Sequence, residues 1–447
     1  MREGLGLLVQ LYDITAFFDK ESLRDVMDSL YEAGVCPKAY RSYFLLNKNS
    51  SIKVLTGCGM TGEADVGEII GQGSPGGALV SQLNLDMGMN DHFNGSSDEV
   101  QYGCVRMQPE VFQDDIARLA PDVSAARAGN VKIDTVMKQK QLKLHDDKTC
   151  YIMMGDKDII KSNRQEIEAA PLMCGDIVTK EKAEYKYLGD MIAGSLALSV
   201  TSTIKDREPK VRGAMLEAKV LVEDFRAQAM GGILSGLDLW EAAILPTLLY
   251  NCSTWVEIEK DAVDLLENLQ LHYLRLLLAV PVSCPKVALR FHTGTLAMKY
   301  RIWIEKVMLV YHIRKLPESS LANMVYLEQV ANKWPGLAGE VTAICEDLKI
   351  EQVHDTDDKK QQYKKLLVQA CLEKDEEELK EKMGSKCSSI KEDKFQVQDY
   401  MKVNSLSDIR ELFRIKTRMN KLRANFPSDP KHPAEGGMVF VGCGAST

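Results

Sequence analysis

Two acidic clusters and one lysine are the residue types in this chain best placed to do chemistry. Tyr12-Asp13-Ile14-Thr15-Ala16-Phe17-Phe18-Asp19 ends an apolar run in an aspartate, followed by two aromatics and a second acid. A carboxylate at a strand end can hold a divalent cation at the rim of a sheet, and a bulky aromatic beside it can wall a pocket. Phe112-Gln113-Asp114-Asp115-Ile116 sets two consecutive acids among apolar and aromatic neighbours. Adjacent carboxylates repel and are costly to bury unless a cation neutralises them, which makes a metal site the natural resolution. Each cluster alone has a plainer explanation. An aspartate after a strand is more often a cap or turn residue, and a bare Asp-Asp pair more often a solvated β-turn. Gly71-Gln72-Gly73-Ser74-Pro75 lies between the clusters and Lys148-Thr149 follows them.

The elements that must position these residues read as a mixed α/β region. Leu7 to Ile14 reads as a strand, and Ser22 to Ala33 as a helix with Leu23, Val26, Met27, Leu30 and Tyr31 at helical spacing. Ser51 to Ile70, punctuated by glycines, reads as a long hairpin, and Gly77 to Met89 as a helix. Beyond about Leu196 strand signals fade, and helical periodicity dominates through Leu348. Asp355 to Lys394 is a dense mixture of Lys, Glu and Asp that reads as a solvated helix or linker, with a last basic helix over Asp408 to Arg423. The division this predicts is residues 1–192, 193–350 and 351–447.

Taken together and in order, the chemical residues resemble the palm motifs of reverse transcriptases of the non-long-terminal-repeat retrotransposon type. The matching segments are Asp13-Ile14 through Phe17-Phe18-Asp19, Gln72-Gly73-Ser74-Pro75, Phe112-Gln113-Asp114-Asp115, and Lys148-Thr149 ahead of a strand. Tyr187-Leu188-Gly189 is similar to the primer-grip hairpin of that family. Leu239-Trp240, Ile244-Leu245-Pro246, Leu249-Tyr250 and Trp255 resemble its thumb, so the likeness runs from Leu7 to about Phe426. Two departures are Gln113, where the family commonly has a small or medium apolar residue, and Gly76-Gly77 in place of leucine-serine. Both changes are expected to loosen packing near the metals.

The resemblance implies an α+β fold: a polymerase palm of antiparallel sheet and packed helices, then an all-helical thumb and carboxy-terminal region. It implies an RNA-directed DNA polymerase that extends a DNA primer on an RNA template with deoxynucleoside triphosphates. Asp13, Asp114 and Asp115 would hold two Mg2+ ions, and Lys148 would stand near the departing pyrophosphate. Phe17 and Phe18 would line the nucleotide pocket, Phe18 as the gate against a ribose 2′-hydroxyl; Gln72 and Gly73 would line the templating base pair. Two cations on three carboxylates suit in-line phosphoryl transfer, which asks for positioning and charge stabilisation and needs no nucleophilic side chain. An RNA-directed RNA polymerase fits less well, since that class resembles a second acid at the position of Phe18. The finger segments of the family have no counterpart ahead of Asp13, so the alternative is a catalytically inactive remnant that at most binds RNA.

Bulk properties agree with a globular intracellular chain, of the cytoplasm or nucleus. Of 447 residues 45% are hydrophobic and 27% charged, and no run of about 18 uncharged apolar residues predicts a membrane span. Eleven cysteines without close pairs read as reduced thiols. With a net charge of −8, nucleic-acid binding falls to local basic runs. One holds Lys205, Arg207, Lys210, Arg212, Lys219 and Arg226; the other holds Arg410, Arg414, Lys416, Arg418, Lys421 and Arg423, and each alone reads more readily as a solvated helix face. Cys443 would begin a zinc motif, but too few ligands follow it, so no zinc is expected. Gly57-Cys58-Gly59-Met60-Thr61-Gly62 spells a dinucleotide fingerprint without the strand-turn-helix context, and reads as a hairpin turn. His145, beside two acids, reads as part of a polar turn.

Overall fold

The computed structural model describes residues 6–48, 50–67, 76–224, 232–351, 359–383, 393–403, 405–417 and 419. Gln72 and Gly73, and Arg226, Arg418, Lys421, Arg423 and Cys443, lie outside them. The chain divides into two compact units, 1–203 with 316–336 and 204–315 with 337–447. The first is mixed α+β and the second helical. Residues 316–336 group with the first unit, and the described residues from 337 onward with the second.

In the first unit, β1 (Gly6–Asp13), β8 (Glu110–Phe112), β9 (Asp115–Ala120), β10 (Cys150–Gly155) and β13 (Lys180–Glu181) form a five-stranded sheet in the order β13-β10-β1-β9-β8. It is antiparallel except at the β10–β13 edge, which is parallel. The nearly unbroken apolar run of β1 is what a central strand covered on both faces requires. Leu8 and Tyr12 pack with α5 (Val123–Gln139) and α4 (Gly77–Phe93), in cores that include Ala126, Ile133, Leu85 and Phe93. The alternate residues Leu7, Val9 and Leu11 join Cys150, Ile152, Ala117 and Leu119 on the other face. A separate hairpin, β14 (Glu184–Tyr187) and β15 (Asp190–Ala193), covers that face with Tyr185, Tyr187 and Ile192.

A polar network underlies the helix-covered face. Gln10 and Arg118 are register partners on β1 and β9. Arg118 Nη1 donates to Gln10 Oε1 at 2.7 Å and to the Ala125 carbonyl at 3.1 Å, and Nη2 donates to the Asp98 carbonyl at 2.7 Å. Gln10 Nε2 and the Tyr12 hydroxyl both donate to Asn130 Oδ1 on α5. The guanidinium is 1% exposed and also lies over the Phe93 ring. Burial of a charge is tolerable only with such pairing.

Elsewhere the sequence periodicities hold with modest shifts. The helix at Ser22 is α2 (Leu23–Glu32), and α4 runs four residues beyond its expected end. The glycine-punctuated segment is a nested hairpin, β2 (Ser50–Ile52) with β5 (Ala64–Gly67) and β3 (Leu55–Thr56) with β4 (Gly59–Met60). Its inner turn carries the Gly57–Gly62 spelling, and no helix opens after Gly62. In the second unit, the charged stretch is a helix where it is described, one of the two alternatives expected, but not one solvated all round: Lys360–Glu381 buries Tyr363, Leu367, Cys371, Asp375 and Leu379, one every fourth residue. Asp375 is neutralised by Arg290 and accepts from the Ala297 N–H at 2.9 Å.

Candidate functional site

Asp13 is the last residue of β1 and Asp115 the first of β9, and the two are directly paired in the antiparallel ladder. Cross-strand partners project to one side of a sheet. By alternation with Leu11 and Ala117, that side is the one covered by β14–β15. Asp114 occupies the two-residue turn Gln113-Asp114 that joins β8 to β9, closed by the Phe112–Asp115 pair. Its carbonyl accepts from the Ile14 N–H at 2.9 Å, tying the turn to the end of β1.

The other side of β1 is held by the segment preceding β10. Ile14 bridges Leu144, Thr15 N–H donates to the Lys143 carbonyl, and His145 N–H donates to the Asp13 carbonyl at 2.8 Å. His145 accordingly forms a turn, its carbonyl accepting from the Lys148 and Thr149 N–H groups. That turn brings Lys148 back to the site, where Nζ donates to Asp13 Oδ1 at 2.9 Å. Asp13 is buried, while Lys148 is half exposed along its side chain.

The electrostatics follow from this crowding. Burial, then the charges of Asp114 and Asp13, push the Asp115 carboxyl above its usual range, and Lys148 only partly offsets them. The hydrogen bond to Asp13 raises the Lys148 ammonium. Burial pushes the Tyr187 hydroxyl up to about 12, with Asp115 and Glu110 adding to the effect. Tyr185 moves the same way through burial, then Cys150 and the three aspartates. Both tyrosines pack on the sheet face that carries Asp13 and Asp115, a placement visible in the alternation of Glu184-Tyr185-Lys186-Tyr187 but not singled out from sequence.

Phe17 is buried in the core that holds Tyr12 and Ile116, and Phe18 packs half-buried against it, the two rings 5.3 Å apart. Both lie in α1 (Phe17–Lys20), a single turn entered through Ala16 in the left-handed conformation. Phe17 is thus a core residue, and Phe18 alone of the two is partly open.

As donors, the aspartates fit a hard divalent cation: they supply oxygen ligands, two of them register partners on one face, with a mutual repulsion that a cation would relieve. Among the described residues, no group of three or more His, Cys, Asp and Glu side chains is gathered as a metal site, and the cation on Asp13 is Lys148.

Several residues of the basic runs have partners within the fold. Arg207 is buried in the helix Leu196–Glu223; it donates to the Leu248 and Tyr250 carbonyls and lies over the Tyr250 and Trp255 rings. Arg212 and Lys219 pair with Glu208 and Glu223. Arg410 donates to the Leu277 carbonyl and Glu223, Arg414 to the Ala279 carbonyl, and Lys416 to Asp393. Among the described residues of the two runs, Lys205 and Lys210 are exposed.

The sequence reading missed Gln82 of α4, whose amide holds the turn bearing the acidic pair. It also treated Gln113 as loosening the packing. Gln113 is instead the left-handed turn residue, with φ of 58° and its N–H bonded. Compared with known proteins, the chain matches no family model and no curated relative.

Proposed function

We propose that the first unit is a nucleotidyl-transferring palm of the reverse-transcriptase type, extending a DNA primer on an RNA template. The observation that carries this reading is the Asp13–Asp115 register pair on one sheet face, with Asp114 in the adjoining turn and Lys148 on Asp13. Asp13, Asp114 and Asp115 are the residues to hold Mg2+, which when bound would activate the primer 3′-hydroxyl and neutralise the leaving pyrophosphate. Lys148, released from Asp13, is a mobile donor for a phosphate oxygen. Phe18 walls the sugar side of the pocket, and the Tyr185–Tyr187 face of the hairpin bounds the site from above the sheet.

Primer extension tests this directly, with an RNA template, deoxynucleotides and Mg2+. The expected result is incorporation that Asp13→Asn and Asp114→Asn each abolish. Activity unchanged by either substitution would sink the assignment. A second reading, an RNA-binding chain without catalysis, draws on the Lys148–Asp13 pair, which neutralises the central carboxylate without a metal. It predicts salt-sensitive RNA binding with no incorporation.

A further inference from the structure

We infer that Gln82 is a positioning residue for the acidic pair: its side chain straps the β8–β9 turn in the conformation that presents Asp114 and Asp115. The kinetic consequence rests on the polymerase reading above; the strap itself does not. Gln82 lies on α4, three turns before that helix ends, and its amide uses both of its N–H donors and its oxygen. Nε2 donates to the Val111 carbonyl at 2.6 Å and to Asp86 Oδ1 at 2.9 Å, and Oε1 accepts from the Gln113 N–H at 2.7 Å. A flipped amide would set its oxygen against a carbonyl and a carboxylate, so only one orientation satisfies all three partners.

Val111 and Gln113 bracket Phe112 at the entrance to the turn. Gln113 holds φ of 58°, a left-handed backbone in which a side chain crowds the following carbonyl, and in two-residue hairpins the first turn position with positive φ is ordinarily glycine. The chain has glutamine there, so its conformation is imposed from outside, and Gln82 is the side chain that holds its N–H and the Val111 carbonyl ahead of it. Asp114 and Asp115 follow immediately, and their placement against Asp13 depends on that turn holding its shape. Positional errors of about 1 Å at a site working by geometry cost about a hundredfold in rate.

Three variants separate positioning from general support of α4. Gln82→Met keeps length and removes the hydrogen bonds; Gln113→Gly removes the need for a strap; the third combines them. In steady-state primer extension, Gln82→Met lowers kcat by about tenfold to a hundredfold with the nucleotide KM unchanged. Gln113→Gly in that background restores most of kcat, because glycine adopts the turn unaided. Amide exchange at Gln113 accelerates at least tenfold in Gln82→Met. A kcat loss that Gln113→Gly fails to restore, or a KM change in place of kcat, assigns Gln82 to helix packing and overturns the inference. If the unaltered chain extends no primer, the polymerase reading fails and exchange alone decides: unchanged protection at Gln113 in Gln82→Met overturns the strap.

Discussion

Gly129→Ala tests whether the buried network beneath the sheet supports the strands that carry the acids. Two effects of opposite sign compete. Alanine in a helix interior is favoured over glycine by about 1 kcal/mol, and Gly129 is inside α5. Against this, a Cβ at Gly129 would lie 2.7 Å from Arg118 Nε and closer still to Cζ and Nη1. Neither side can yield easily, since the guanidinium is buried and bonded to Gln10, Ala125 and Asp98. Hydrogen bonds to a charged group contribute about 1.5–3 kcal/mol each, so losing even two outweighs the helix gain. The net expectation is destabilisation by about 3 kcal/mol, or about 6–12 °C in the thermal transition of a unit this size. The control is the same substitution in an Arg118→Met background, where the clash is relieved and Gly129→Ala stabilises by up to about 1 kcal/mol. Thermal and urea unfolding of the four proteins closes the cycle. A neutral or stabilising Gly129→Ala in the unaltered chain would refute the reasoning.

Asp115→Asn should raise the melting temperature at pH 7 without divalent ions. The folded state raises this carboxyl, so it binds the proton more tightly than the unfolded chain; stability falls as pH rises from about 4 through the raised folded value and stays low above it. The gain should vanish near pH 3, and a gain that persists there would contradict the charge-repulsion account. Phe18→Ala should admit ribonucleotides in a competition assay if the chain polymerises, and should cost about 2 kcal/mol, half the usual penalty for a fully buried aromatic. Unchanged discrimination would leave Phe18 as packing alone. Arg207→Met should destabilise the second unit by about 2 kcal/mol or more in urea unfolding, since it strips one buried and one part-buried carbonyl of their donor, whereas Lys210→Gln should leave stability unchanged. A surface role for Arg207 would make the two variants alike.

What could be read from sequence was local, and what could not depended on distant partners. The β1 run and the acids at its rim were legible because a central strand needs continuous apolar residues and because adjacent carboxylates among apolar neighbours demand an explanation. The Lys148–Asp13 pair joins residues 135 positions apart, and no local pattern announces it. Gln82 looked like any polar residue on a helix, its role set by a turn about thirty residues later. Arg207 read as surface charge because its aromatic and carbonyl partners at 248–255 become neighbours only when the helices pack. Lys360–Glu381 was legible as a helix but its buried side was not: the four-residue spacing of Tyr363, Leu367, Cys371 and Leu379 is masked by the lysines and glutamates between, and it includes Asp375, whose partner Arg290 is distant in sequence. The resemblance to a polymerase palm rests on short segments, and the coarser α+β division is the part of that expectation the structure supports.

The Gln10–Arg118 pairing also acts as a vernier for the sheet. A slip of β1 by one residue against β9 would send Asp13 to the helix side, a change the hydrophobic alternation already forbids. A slip by two keeps every side chain on its proper face, so burial alone would tolerate it. Such a slip sets Leu8 or Tyr12 opposite Arg118 and carries Asp13 two positions from Asp115. Only the present alignment gives the guanidinium an amide oxygen from β1, and losing that hydrogen bond costs about 1.5–3 kcal/mol. A residue on the far side of the sheet from the acids thereby selects which carboxylates meet.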